Sequence, residues 1–364
     1  MTALTAAAHH SSSAYDLTQH IEWKVTVTQF QFVNPHAYVF FTMEDANGKQ
    51  VKGRCELPAV TALRRVGWTR TTLVPGQKVL IKGSPGKNEA NVCYMNSFIG
   101  EDGREISRAE DLTRGGADPL ATLASNANRP ARLPDGHPNL NGPWIGVGVE
   151  GRGPGARGPG PGFEGKKGPG FAGKKGGPGR GGPPRPAETE AGKLAAAKYD
   201  QPFDDPAIKC DPANILFGWV HDRHVNEIKQ NEKEITLIYG YMDFVRTIHL
   251  DRAEHPKNIK PSRGGDSIGK WDGDTLVVDT VGFLPGVLIP INGVMHSGQM
   301  HIVERFTFDP AARTLTREYR AEDPLYLVNA YTGRDMMEIS NEPHVPYNCK
   351  ELSGANNKRP IAKN

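Results

Sequence analysis

Two opposite charges interrupt apolar rows in predicted strands of the second half of the chain. Alternate residues of a strand point to the same face, so Glu304 in 299–308 and Arg246 in 243–250 each lie on an apolar face. The apolar residues beside them are Met300, Ile302, Phe306 and Phe308 for Glu304, and Phe244, Ile248 and Leu250 for Arg246. A lone buried charge costs several kcal/mol. We therefore expect Glu304 and Arg246 to meet inside a barrel.

Other polar side chains accompany this pair. Tyr239 and Tyr241 share a face with Ile235 and Leu237, Asp279 shares a row with Val277 and Val281, and His296 precedes the strand of Glu304. An inward polar set of this kind could hold a ligand or transfer protons. The candidate catalytic residues are Glu304, Arg246, Tyr241, His296 and Asp279, and the candidate ligand contacts are Tyr239, Phe244, Met300 and Phe306. The alternative is a satisfied buried ion pair that fixes strand register.

Three histidines near the start could bind a metal ion. Ala6-Ala7-Ala8 has the small-residue pattern of a signal-peptidase site, which would make His9 the first mature residue. The amine and ring of His9, with His10 and with His36 at a strand end, could form a nitrogen-rich site suited to Cu(II). Copper is therefore the candidate cofactor. The alternative is that His9 and His10 belong to a mobile terminus and that His36 caps a turn.

The segments around His36 predict a small barrel. Residues 19–33 alternate as a strand, and their apolar face switches partway, as at a β-bulge. Residues 37–43 form a second strand, which Asn47-Gly48 turns into a third. A short helix over 58–66 precedes two more strands, KVLIKG and NVCYMNSF. Five strands with a helix between the third and fourth follow the order of an OB-like barrel.

Short β-type segments also recur from about residue 188 onward, separated by turns such as Asp272-Gly273 and Asp309-Pro310. This spacing suits an antiparallel barrel or sandwich of lipocalin-like type. The expected fold class is therefore mainly β, with an OB-like N-terminal barrel and a second β-barrel or sandwich. The expected divisions are a signal-peptide remnant (1–8), the OB-like domain (9–106), a linker (107–187), the second domain (188–352) and a flexible tail (353–364).

The linker is predicted from its amino-acid composition. Residues 146–187 contain the imperfect repeat GPGFEGKKGPGFAGKKGGPG, and such a density of Gly and Pro cannot bury a core. We predict a disordered, flexible tether. The alternative is a cationic arm that binds anionic polymers weakly through Lys166-Lys167 and Lys174-Lys175.

Cysteine usage and charge bear on compartment and partners. Each half carries two cysteines without a CxxC pair, which suits one disulfide per domain, Cys55–Cys93 and Cys210–Cys349; the alternative is four reduced thiols. Disulfides and the signal-like start together predict a periplasmic or secreted protein. A net charge of +3 is too small to indicate nucleic acid as the main partner. No run approaches the roughly 18 apolar residues that span a bilayer.

The segments AHHSSSAYD, VNPHAYVFF and GWTRTTLVPGQKVLIKGSPG lie within about 9–105. In order and spacing they resemble the DUF6152 family of bacterial exported proteins. GKWDGDTLVVDTVGF and HSGQMHIVERFTFD, in the second half, resemble a β-rich domain of uncharacterised bacterial secreted proteins. These resemblances imply export and fold, and they imply no chemistry.

The expected function is therefore the binding of a small, partly apolar ligand in the second barrel. One alternative is a cofactor-independent lyase, isomerase or hydrolase that uses the acid–base groups named above. A third class is a structural or adhesive envelope protein, or a copper-binding protein.

Overall fold

The computed structural model describes residues 14–45, 47–87, 89–109, 112, 129–147, 185–290 and 293–351. The first barrel is built from β1 (Ile21–Gln31), β2 (Tyr38–Glu44), β3 (Gln50–Glu56), α1 (Val60–Arg65), β4 (Lys78–Pro85), β5 (Val92–Ile99) and β6 (Glu105–Ser107). The strand order is β3-β2-β1-β4-β5-β6. β3 also pairs with β5 in parallel, and this pairing closes the five strands into a barrel.

This topology confirms the OB-like prediction, with α1 between the third and fourth strands. A register shift between Val27 and Gln29 marks the predicted bulge in β1. The bulge lets one long strand pair with both β2 and β4. Cys55 and Cys93 are register partners on β3 and β5, and a disulfide joins them at the closure of the barrel.

Nine strands of the described residues form the second barrel. They are β7 (Gly142–Gly146), β8 (Val225–Gln230), β9 (Glu234–Ile238), β10 (Val245–His249), β11 (Asp266–Asp272), β12 (Thr275–Val281), β15 (His301–Asp309), β16 (Thr314–Glu322) and β17 (Tyr331–Ile339). A hairpin of β13 (Gly286–Ile289) and β14 (Val294–His296) lies between β12 and β15 in the chain. Two short helices, α2 (Glu190–Ala196) and α3 (Gln201–Asp204), precede β8.

The prediction of a second β-barrel is confirmed, with two differences. Neighbouring strands of the barrel are antiparallel except β10 and β11, which pair in parallel over two residue pairs, Ile248 with Ser267 and His249 with Ile268. In addition, β7 pairs with both β17 and β8. Residues 129–147 therefore contribute to the second barrel, although we predicted a linker over 107–187. Residues 148–184, which hold the lysine pairs of the predicted cationic arm, lie outside the described residues.

The interior of the second barrel follows the period-two pattern of its strands. In β15 the even-numbered residues from Ile302 to Phe308 are buried and Arg305, Thr307 and Asp309 are exposed. Trp144 of β7 and Trp219 before β8 are almost inaccessible and pack into the same core. Trp219 makes edge contacts with Tyr239 and Phe306. Aromatic side chains thus fill the middle of the barrel.

The last described segment joins the two barrels. A disulfide connects Cys210 to Cys349 across 139 residues. Just before it, the carbonyl of Tyr347 accepts a hydrogen bond from the buried Asn34 side chain at 2.6 Å. The amide of Lys350 donates to the Asn34 carbonyl at 2.8 Å. Asn34 belongs to the first barrel, so the second disulfide fixes a segment that packs against both barrels. Both predicted disulfides are therefore present.

Within the described residues, no helix combines the length and the apolar character that crossing a bilayer requires.

Candidate functional site

The predicted pair of charges meets inside the second barrel. Nη2 of Arg246 lies 2.5 Å from Oε2 of Glu304. The other carboxylate oxygen, Oε1, accepts a hydrogen bond from Arg317 at 3.2 Å. Arg317 in turn forms a bidentate pair with Asp335, at 3.2 and 2.5 Å. Two guanidinium groups and two carboxylates thus form one buried network with no net charge.

Polar neighbours satisfy most of the remaining donors of the two arginines. Arg246 donates to the hydroxyls of Ser267 at 3.0 Å and Thr280 at 2.8 Å. Arg317 donates to the carbonyls of Ile215 and Leu216. Burial alone would lower the pKa of each arginine, but the facing carboxylates outweigh it and raise both pKa values. Both arginines therefore stay charged in the core.

The charged side chains of the network are almost fully buried, although Arg246 also borders a cavity beside β10 and β11. The side chains of Arg246 and Arg317 are 1% exposed and that of Glu304 is 0% exposed. Three of the predicted ligand contacts, Tyr239, Met300 and Phe306, are likewise packed in the core. A ligand could reach them only by displacing core side chains. This geometry is the one expected of the alternative interpretation, a satisfied ion pair that fixes strand register.

Arg317 and Asp335 were not among the predicted site residues, although the same rule finds them. Arg317 alternates with Leu315 and Ala321 in β16, so it is a charge on an apolar row. Asp335 lies two residues from Met337 in β17. The alternation that identified Glu304 therefore also applies to these two strands.

The other predicted catalytic residues lie in different surroundings. Tyr241 packs with Met242 and Tyr347 in a cluster of its own. His296 is buried in β14, where its Nδ1 faces the carbonyl of Ser297 and its ring contacts Phe283. Burial lowers the pKa of His296 and keeps it neutral. The described residues thus do not bring Tyr241 and His296 together with Glu304 into one acid–base site.

Asp279 faces the opposite way from our prediction. Leu276, Val278 and Thr280 form the buried row of β12, and Asp279 lies on the outer row. Its Oδ1 lies 3.0 Å from Nε2 of His255, and its Oδ2 lies 2.9 Å from Nε2 of His301. Asp279 is therefore part of a polar cluster on the outer wall. His301 lies on the face of β15 opposite Glu304.

Ionisation of His255 should make the folding stability depend on pH. Partial burial alone would lower the pKa of His255, but hydrogen bonds to Asp266 and Asp279 outweigh it and raise the pKa. A raised pKa in the folded state stabilises the protein below the unfolded pKa of about 6.5. That contribution is lost as the pH rises through the folded-state pKa. Between about pH 6 and pH 9, we expect wild type to lose about 1 kcal/mol more unfolding free energy than His255→Gln.

Urea unfolding at several pH values measures this difference. His20→Gln, which changes an exposed histidine of the first barrel, is the matched control and should follow the wild-type pH profile. Parallel profiles for wild type and His255→Gln would show that the two carboxylates do not hold the His255 proton.

A cavity of about 260 Å³ opens at the seam between β10 and β11. These strands pair over only two residue pairs, so the wall is incomplete beside them. The lining includes Arg246, Phe244, Val245, Thr247, His249, Ser262, Arg263, Gly264, Gly265, Asp266 and Ser267. Of the predicted site residues, Arg246 and Phe244 therefore lie at this cavity. Nη1 of Arg246 makes no hydrogen bond of good geometry within the described residues.

A larger cavity of about 470 Å³ lies beside α2, with Arg185, Tyr199 and Gly293 on its lining. Arg185 and Gly293 directly adjoin residues outside the described part of the chain. The seam cavity, in contrast, is lined by residues of a continuous described segment. The seam is for this reason the better-defined candidate site.

The predicted copper ligands are described only in part. His9 and His10 lie outside the described residues. His36 lies between β1 and β2, and its Nδ1 is 3.4 Å from Oε1 of the buried Glu56. Within the described ranges, no three His, Cys, Asp or Glu side chains are grouped so as to hold a metal ion.

One comparison with known proteins matched. The model of a family of unknown function, DUF6152, matches residues 1–93. This match covers β1 to β4 and ends within β5 of the first barrel. Comparisons with curated proteins and with solved structures found no match to the chain. The likeness of the second half to a secreted β-rich domain therefore stays an expectation.

Proposed function

We propose that the chain is an exported, periplasmic or secreted protein whose second barrel binds a small carboxylate with an apolar body at the β10–β11 seam. The observation that carries this proposal is the seam cavity itself, with a buried arginine among its lining residues. The two disulfides suit an oxidising compartment outside the cytoplasm. The match of the first barrel to DUF6152 adds no activity.

The lining suits an anion with an apolar part, because its one carboxylate, Asp266, is already paired with Arg252 and His255. Arg246, Arg263 and His249 offer N–H donors, and Ser262 and Ser267 add hydroxyls. A carboxylate accepts hydrogen bonds from such donors and pairs well with a guanidinium group. Phe244 and the half-exposed Val245 supply the apolar surface. A cavity of about 260 Å³ suits a ligand no larger than a single ring or a short alkyl chain.

In this proposal the buried network supports the site. Glu304 fixes Arg246 from the core side, and Ser267 and Thr280 fix it laterally. Such fixed partners keep a donor group in place before a ligand arrives, which reduces the ordering cost of binding. The acid–base residues of the enzymatic alternative are distributed over separate clusters, so we propose binding and no reaction.

Benzoate is a suitable probe, with benzyl alcohol as its uncharged analogue. We expect benzoate to bind with a Kd of roughly 0.1–1 mM, as is reasonable for so few atoms, and benzyl alcohol to bind at least about tenfold more weakly, since it lacks the charge. Thr247→Trp, which places a large ring at the cavity, should abolish binding in ligand-observed NMR titrations.

Thr236→Trp is the matched control. Thr236 is the register partner of Thr247 on β9 and does not line the cavity. Thr236→Trp should leave benzoate binding unchanged. Equal binding of benzoate and benzyl alcohol, equal loss in both tryptophan variants, or no binding of benzoate at all would contradict the proposal.

A further inference from the structure

The edge of β10 that faces the seam is open where the strand begins. β10 pairs with β11 only through its last two residues. On the other edge, the carbonyl of Phe244 accepts a hydrogen bond from the amide of Tyr239 at 2.8 Å, and the amide of Leu250 donates to the carbonyl of Lys233 at 2.7 Å. In an antiparallel ladder, such bonded pairs recur at every second residue. The even-numbered residues of β10 therefore bond to β9, and the odd-numbered residues direct their backbone groups toward the seam.

Two of the odd-numbered residues precede the pairing with β11. Within the described residues, the N–H and C=O of Val245 and the N–H of Thr247 have no hydrogen-bond partner on the seam side. Both residues line the cavity of about 260 Å³, and Val245 is 55% exposed. Free backbone groups on a strand edge can pair with an added extended segment. The cavity thus offers main-chain donors and acceptors in addition to its side chains.

The opening is short because both of its ends are closed. Near the start of β10, Gly264 lies so close to Phe244 that a Cβ added at Gly264 would be 3.2 Å from the ring. At the other end, Ile248 pairs with Ser267. The gap between these points spans Val245–Thr247, or roughly 10 Å of extended chain. This length is too short for a long peptide strand or for a strand of a second copy, and it suits one amide with a short group on either side.

We propose that the seam binds an N-acylated amino acid, whose amide N–H and carboxylate pair with the open edge of β10. This inference rests on the proposed function, because the carboxylate is the anion of the same site. It adds the amide to the chemistry of the ligand.

The ligand continues the parallel pairing of β10 with β11. In a parallel ladder, the N–H and the C=O of one residue bond to two residues of the neighbouring strand that lie two positions apart. A ligand beside Arg246 therefore donates its N–H to the C=O of Val245, and its carboxylate accepts from the N–H of Thr247. In this direction its acyl group lies toward Phe244, the aromatic ring of the lining.

Three compounds of related shape test the amide. N-benzoylglycine is the probe, O-benzoylglycolate has an ester oxygen in place of the amide N–H, and benzoate has neither group. We expect N-benzoylglycine to bind at least about fivefold more tightly than the other two compounds, because only its N–H can donate to the C=O of Val245. Ligand-observed NMR titrations of the full chain measure the three Kd values.

The N–H of Thr247 can be tested on the protein. Thr247→Pro removes this N–H and no hydrogen bond to β9, since the group faces the seam. It should weaken the binding of N-benzoylglycine at least about tenfold, because it removes the carboxylate's donor and fills part of the space beside it. In wild type, N-benzoylglycine should shift the amide proton resonance of Thr247 downfield and leave that of Ile248, which faces β9, nearly unchanged. The resonance shift does not depend on whether Thr247→Pro folds.

The outcomes separate this inference from the proposed function. Equal Kd values for N-benzoylglycine and O-benzoylglycolate, with benzoate still bound, would overturn the inference and leave the proposed function standing. No binding of any of the three compounds would overturn both. An amide resonance of Thr247 that does not move when N-benzoylglycine binds would overturn the pairing with β10. Dimerisation that competes with N-benzoylglycine would show that the edge pairs with a second copy, and this result would also overturn the inference.

Discussion

Glu304→Gln will lower the free energy of unfolding by about 3–5 kcal/mol. Glu304 is fully buried and compensates Arg246 on one side and Arg317 on the other. Glutamine has almost the same shape, so the core keeps its volume and loses only the negative charge. Asp335, which pairs with Arg317, would then be the one carboxylate left in the network, and Arg246 would lose its counter-ion. A buried charge without its partner is among the most destabilising changes a core can suffer.

Urea unfolding measures this loss, and Asp272→Asn is its matched control. Asp272 accepts a hydrogen bond from Arg305 at 3.0 Å on the outside of the same barrel, where both side chains are exposed. An exposed pair of this kind contributes less than about 1 kcal/mol. A loss below about 1 kcal/mol for Glu304→Gln would show that Glu304 is not needed as a counter-ion.

A compensating double variant separates charge from packing. Arg246→Met combined with Glu304→Gln removes one positive and one negative charge and leaves Arg317 paired with Asp335. If charge imbalance is the cause, the double variant should be more stable than Glu304→Gln alone. A double variant that is less stable than either single variant would point to lost packing.

The meeting of Arg246 and Glu304 could be predicted because strand alternation is a local property. Each strand has a period of two, so a charge on an apolar row is visible within about eight residues. Two buried charges of opposite sign are then expected to pair, whichever strands carry them, because an unpaired buried charge is unfavourable. The strand order was not required for this inference. The same argument applied to β16 and β17 would have added Arg317 and Asp335.

Alternation does not show which row faces inward when both rows are apolar. In β12, Val277 and Val281 flank Asp279, but Leu276 and Val278 form the buried row. The apolar neighbours of Asp279 therefore suggested burial, whereas the strand places it beside two histidines on the outer wall. Packing within the closed barrel, including the pairing of β12 with β15 beyond the β13–β14 hairpin, fixes this choice.

The strand that closes the second barrel also could not be predicted from the sequence. Residues 142–146 (GPWIG) lie between a turn-rich segment and the glycine-rich repeat, so their composition resembles a linker. Yet β7 is the strand that connects β17 to β8 and completes the second barrel. Its buried Trp144 contacts Phe308 of β15. Barrel closure depends on partners about 80 to 190 residues away, which no local pattern specifies.

Replacing both Cys210 and Cys349 with serine will lower the unfolding free energy by about 2–5 kcal/mol. The disulfide closes a segment of 139 residues, and in the chain-entropy model a loop of that length is worth about 5 kcal/mol. The Cys55–Cys93 disulfide closes only 38 residues, for which the same model gives about 4 kcal/mol. Guanidinium unfolding of each double-serine variant measures how much each disulfide contributes to the free energy of unfolding.

Replacing Cys210 and Cys349 with serine should also make the last described segment easier to cleave, because of where Cys349 lies. Tyr347 and Lys350, on either side of Cys349, make the hydrogen bonds to Asn34 that connect the last segment to the first barrel. Without the disulfide, this segment is held by non-covalent contacts alone, including two amide donations to Asp243 and the packing of Tyr347 against Tyr241. Limited proteolysis should therefore cleave near residue 349 sooner in this variant than in wild type or in the Cys55/Cys93 double variant. Equal cleavage rates would mean that Asn34 and Asp243 hold the segment without the disulfide, so that the two barrels stay connected when it is absent.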